Sequence, residues 1–172
     1  GLTLDDEDSK LLLNSITVDS VSTSEDSSGL DVDDDSTVTS LSVAHTTPVS
    51  IANTKTLSGA ITITAGSIKL DETGTLDSSI SISGGALDAD NSLTISGAVT
   101  QAGNATIDVT SGETITFENG TINTESHQLT LKGSGTIAFP SNSSGIVLNN
   151  SAGLLKLDGT GTLGPAQGTA AW

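Results

Sequence analysis

The chain has no cysteine, methionine, tyrosine or arginine, and only one tryptophan, two phenylalanines and three prolines. Without cysteine there is no disulfide framework. With aromatics at 2% of residues, a β-sandwich core, which usually takes several, is the weaker reading of the strand-like patterning. No apolar run approaches the roughly 20 residues of a membrane-spanning helix, no stretch reads as a secretory leader, and no amphipathic helix is present. Five lysines stand against 21 acidic residues, a net charge of −16. Nucleic acid and anionic membrane surfaces are therefore excluded as expected partners, because binding either rests on basic groups neutralising phosphates.

What is abundant is polar and β-forming. Serine and threonine number 26 each in 172 residues. Such residues suit the solvent side of a sheet, where strand propensity and solubility are both needed. Hydrophobic residues make up only 34%, enough for one domain with a thin core.

The apolar residues recur in short pairs. Ile61-x-Ile63, Ile80-x-Ile82, Ile107-x-Val109, Leu129-x-Leu131 and Leu155-x-Leu157 form one set, with starts 19, 27, 22 and 26 residues apart. A second set (Ile68-x-Leu70, Leu87-x-Ala89, Ile115-x-Phe117, Ile137-x-Phe139 and Leu163) lags the first by 7 or 8 residues, and a third (Leu76, Ile95, Ile122, Ile146) by 15 to 17. Residues i and i+2 of a strand share a face, so each pair marks one short strand with its apolar side inward. Gly84-Gly85, Ser111-Gly112, Asn119-Gly120 and Gly159-Thr160-Gly161 supply corners between strands. Three strands per repeat at steady phase predict an all-β fold, a three-sided parallel β-solenoid or β-helix. The 27-residue step predicts an insertion around residues 96–104, and solenoid insertions map to corner loops.

Three regions follow: residues 1–56 as an acidic N-terminal arm or irregular first coils, 57–163 as the solenoid, and 164–172 as a C-terminal tail. Residues 1–36 carry 11 of the 21 acidic residues against one lysine. Within them Leu11, Leu12, Leu13, Ile16 and Val18 read as an apolar strand. An open solenoid end presents unpaired backbone groups, so these five are the candidate donated strand for self-association. Trp172 is the candidate contact at the far end, where tryptophan is a favoured interface anchor.

Other constellations are weighed against plainer readings. Asp31, Asp33, Asp34 and Asp35 offer hard oxygen ligands, a weak Ca²⁺ site, but they lack the glycine and glutamate spacing of an EF-hand; the plainer reading is a solvated charge run. No other cofactor is expected. Asp88 and Asp90 are paired carboxylates, and His45 and His127 the only groups that titrate near neutrality. With arginine absent and no motif around either histidine, the chain is expected not to be an enzyme. Thr62-x-Thr64 and Thr114-x-Thr116 hint at a threonine array, which loses regularity after two coils. Four sequons, at Asn104, Asn119, Asn142 and Asn149, are close to what this composition gives by chance.

Segments such as Leu57-Ser-Gly-Ala-Ile-Thr-Ile-Thr-Ala-Gly-Ser-Ile and Gly120-Thr-Ile-Asn-Thr resemble the secreted β-helix regions of bacterial surface proteins, in the style of filamentous-haemagglutinin-like adhesins and autotransporter passengers. The likeness covers residues 57–163 and rests on style rather than a diagnostic motif. Those proteins are much longer and carry a secretion or anchoring domain. With a first residue that is not methionine, the expectation is a processed, exported protein or a fragment, extracellular or at the cell surface. Its expected function is that of a structural subunit of a filament, sheath or fibre, a homo-polymer formed by strand addition and end-to-end stacking. The alternative is an adhesin segment whose outer faces or 96–104 loop bind a glycan or host surface.

Overall fold

The computed structural model of the protein describes all residues except 8, 27, 71–73, 120, 125, 141–144, 148–152, 166–169 and 172. The described residues form 21 strands, β1 to β21 in chain order, and no helix. Eight of them make one parallel sheet, in the order β2 (Lys10–Leu13), β4 (Gly29–Val32), β6 (Thr47–Ile51), β8 (Ser67–Leu70), β10 (Gly85–Ala89), β13 (Ala105–Val109), β16 (Gln128–Gly133) and β19 (Leu154–Gly159). The other sheet starts with β1 (Leu2–Leu4), β3 (Thr17–Thr23), β5 (Ser36–Val43), β7 (Thr56–Ile63) and β9 (Thr75–Ile82). It then divides into two lines. One holds β11 (Leu93–Ile95), β14 (Thr114–Phe117), β17 (Thr136–Phe139) and β20 (Thr162–Pro165), the other β12 (Val99–Gln101), β15 (Thr121–Asn123) and β18 (Gly145–Val147). All pairings are parallel except that of β20 with β21 (Ala170–Ala171).

The molecule is thus a parallel β-solenoid with three walls. The long strands of the early coils serve the first wall with their N-terminal halves and the second with their C-terminal halves. From Ser96 onward the two halves are separate strands. The eight-stranded sheet is the third wall. Every wall carries an inward column of aliphatic side chains. In the second it runs Leu2, Val21, Leu41, Ile61, Ile80, Val99, Ile122, Ile146. In the third it includes Ile68, Leu87, Ile107, Leu131 and Leu157. Most of these side chains are fully buried, each contributing about 1.5–3 kcal/mol of transfer free energy against the extended chain. Most of the serines, threonines and charges between them face water, as the pleat requires.

The registers correct the repeat. Successive residues of the second-wall column lie 19 or 20 apart as far as Val99, then 23 and 24 apart. The three sets drawn from the sequence change walls midway: Ile61 and Ile80 belong to the second wall, Ile107, Leu129 and Leu155 to the third. The apparent 27-residue step is this wall change. Residues 96–104 are accordingly no protruding loop, since they contain β12, a rung of the second wall paired with β9 and β15. A corner and a strand are of similar length here, so a constant lag cannot tell one wall from the next.

The longer late coils have more interior to fill. The first-wall column therefore passes from Leu57, Leu76 and Ile95 to Phe117, with Phe139 stacked on it. Both phenylalanines are nearly fully buried. Gln101 is polar at an inward position whose neighbours on β9 and β7 are Ile82 and Ile63. Its Nε2 donates to the Gln128 carbonyl at 2.6 Å, while its Oε1 has no protein partner.

The described residues of 1–56, expected as an acidic arm or irregular first coils, form rungs of the same stack. β2 pairs with β4, β4 with β6, and β5 with β7, so the expected boundary at 56/57 falls inside a continuous ladder at β7. The physical reason lies in Leu13, Val32 and Ile51, which stack in register and are buried. A donated arm would leave this column uncovered.

Candidate functional site

Several Asp, Glu and Asn side chains at the corners have a recurrent local use. Each reaches the adjacent rung and accepts a backbone N–H that the corner takes out of the ladder. Asp26 Oδ1 accepts from Thr46 N at 2.8 Å and Asp35 Oδ1 from Thr56 N at 2.9 Å. Asn104 Oδ1 accepts from Gln128 N at 2.9 Å, and Glu113 Oε2 from both the N–H and the hydroxyl of Ser92, each at 2.8 Å. An N–H left unpaired on leaving water costs about 1–3 kcal/mol, and a carboxylate is a strong acceptor for it.

The four aspartates singled out for calcium are divided among such roles. Asp31 faces outward from β4, 3.3 Å from the Lys10 ammonium. Asp34 lies at the next corner between two rungs, accepting from Ser15 Oγ at 2.8 Å and from Lys55 Nζ at 2.6 Å. Lys55 chiefly, then Ser15 and the Asp35 N–H, hold the Asp34 carboxyl down to about 2. Asp35 bonds the Thr56 N–H, and Asp33 is exposed. Among the described residues no three histidine or acidic side chains converge as a metal-holding group.

The proposed donor residues are likewise spread over the stack. Leu11 and Leu13 point inward from β2 and Val18 packs against the core, whereas Leu12 and Ile16 are 60% and 49% exposed. All but Ile16, which sits at a corner, lie in intramolecular ladders. Trp172 lies outside the described residues, as do Asn142 and Asn149 of the sequons. Asn104 is a corner acceptor and Asn119 is exposed at a turn. His45 and His127 occupy corners before β6 and β16, in different coils. Thr62 is on the second wall and Thr114 and Thr116 are on the first, so the two threonine pairs share no face.

One constellation escaped the sequence reading. In the third wall one outward-facing column runs from rung to rung as Pro48, Lys69, Asp88, Asp108, Lys132, Asp158. Lys69 Nζ is 2.6 Å from Asp90, and Lys132 Nζ 2.6 Å from Asp108. Burial, then the neighbouring Asp90 and Asp108 charges, push the Asp88 carboxyl up, while Lys69 holds Asp90 down. The signal was present in the sequence as Ile68-Lys69-Leu70 through Leu157-Asp158-Gly159, but aligning these pairs required the correct wall.

The same column leads to the ends of the third wall. Beyond Pro48 it continues through Gly29, one step before the Leu30–Val49 pairing and where a Cβ would fall 2.5 Å from the Pro48 carbonyl oxygen, to Lys10. The wall's outermost strands are β2 and β19, and neither has a second strand partner among the described residues. Leu157, which continues a column otherwise at 0% exposure, is 50% exposed, and no rung among the described residues covers it. At the same end of the first wall, β21 pairs with β20 and occupies its outer edge.

No protein-family model, no curated protein and no solved structure matches the chain.

Proposed function

We propose that this protein is a structural subunit that joins copies of itself end to end, through strand addition and solenoid stacking, into an extracellular filament, sheath or fibre. One observation carries the reading: among the described residues the third wall has an unpaired strand edge at each end, β2 and β19, with apolar side chains half-covered beside the latter. Unpaired edges are templates for a further strand. A contact between two different ends of the same molecule is heterologous and repeats without closing, which gives a fibre rather than a ring.

Copies carrying −16 repel one another, so assembly is expected to strengthen as salt shortens the screening length to about 10 Å near 0.1 M. Negative-stain microscopy and sedimentation of residues 1–172 at low and moderate salt test the proposal. Regular fibres of solenoid width that increase with salt are the expected result; a monodisperse monomer at every concentration overturns it.

The second reading, an adhesin segment binding a glycan or host surface, draws on a shallow depression on the outside of the second wall. Its lining includes Thr62, Ser79, Ser81, Ala98 and Thr100. It offers hydroxyls but no aromatic ring for a sugar to stack on. Glycan-array binding by a monomer would favour it.

A further inference from the structure

The two ends of the stack match each other in winding phase, in the apolar register of the second wall and in the charge of the third. The coil passes from the first wall to the second, then the third. At one end the outermost strands are β18 in the second wall and β19 in the third, with β21 lying outside β20 in the first; at the other they are β1 in the second wall, β2 in the third and the start of β3 in the first. The winding leaves the first wall after β20, so a second copy whose β1 lies on β18 begins in the wall where the winding resumes. Along the second wall, Ile146 closes the inward column that Leu2 opens, and Leu2 is 40% exposed. Along the third wall, the outward column ends in Asp158 on β19 and starts with Lys10 on β2. Both side chains are more than half exposed, at 55% and 57%.

Resting on the self-association reading above, we infer that the occupant of the β18–β19 edge is the β1–β2 edge of a second copy, in the register that continues each column, with Lys10 of one copy facing Asp158 of the other and Leu2 seated on Ile146. Within the stack, facing lysine and aspartate on adjacent rungs pair in this way at Lys132 and Asp108. The register also specifies direction: like ends would bring two Lys10 or two Asp158 side chains together, whereas unlike ends give opposite charges. In this geometry Lys10 is shared between Asp31 of its own copy and Asp158 of the next, and Asp158 between Lys156 and the incoming Lys10.

The test is charge reversal in the full chain. Lys10→Asp and Asp158→Lys are made singly and together, and assembly is followed by sedimentation and microscopy near 0.1 M salt. Exposed ion pairs contribute little, so each single reversal is expected to raise the critical concentration about 3- to 10-fold, with the double reversal returning it near the wild-type value. Circular dichroism melts confirm folding, since both side chains are exposed. Wild-type fibres with single variants that assemble normally, or a double variant that stays impaired, overturn this register while leaving self-association standing. Absence of wild-type fibres overturns both.

Discussion

The ring of Phe139 lies on that of Phe117, with centroids 5.4 Å apart and planes inclined by 19°. They are the only phenylalanines in the chain. They stand one above the other in the first wall, in the coils whose repeat has lengthened to 23 and 24 residues. Replacing Phe117 by alanine should destabilise the late coils by about 3–5 kcal/mol, with the loss in hydrogen-exchange protection centred on β14 and β17. Leu76→Ala in a tighter coil should cost about 2–5 kcal/mol and loosen the early coils instead.

Gly59 faces the bulge of β5, where the register slips between Val38 and Ser40. Its φ is +135°, and a Cβ would fall 1.8 Å from the Val38 carbonyl oxygen. Gly59→Ala should therefore cost about 3 kcal/mol or more. Gly112, at φ +86° but with open space around it, is the control. There an alanine should cost only the backbone preference, about 1–2 kcal/mol. Chemical denaturation of both variants measures the difference.

Two aspartates should make opposite contributions to the pH dependence of stability. Asp34 is held down to about 2 from an ordinary 3.8, so its stabilisation is present above pH 3.8 and lost as pH falls toward 2. Asp34→Asn should lower the melting temperature at pH 7 and flatten its decline in acid. Asp88 is pushed up by burial and by Asp90 and Asp108, against the weaker pull of Lys69 and Lys132. Its folded form binds the proton more tightly, so stability is lost as pH rises through its titration. Asp88→Asn should raise the melting temperature at pH 7 and change it little at pH 3. Melts from pH 2 to 8 check both signs.

β21 runs antiparallel along the outer edge of β20 and is the one reversal among the described strands. On the assembly proposal it covers one wall of an end that must accept another copy. Truncation after Pro165 should lower the critical concentration for fibres, measured by sedimentation. Unchanged or weaker assembly would place β21 outside the contact, or within its productive form.

The amino-acid sequence by itself determined that the chain coils. The alternation around Ile61, Ile107 and Leu131 requires a strand with one wet face. The glycines and polar residues between require corners, and scarce aromatics leave only a narrow interior. These are properties of neighbouring residues, which the pleat and the turn make visible without knowing what lies above or below.

Tertiary structure decided what depends on stacking. Whether Ile80 belongs with Ile107 or with Val99 is a question of which strands share a wall, and corners as long as strands hide the answer. The outward line from Lys10 to Asp158 follows only from that register. So does the fate of Asp31 and Asp34, which sequence proximity suggested as joint ligands. A corner turns the chain between them, and each carboxylate meets a lysine some twenty residues away in sequence but one rung away in space.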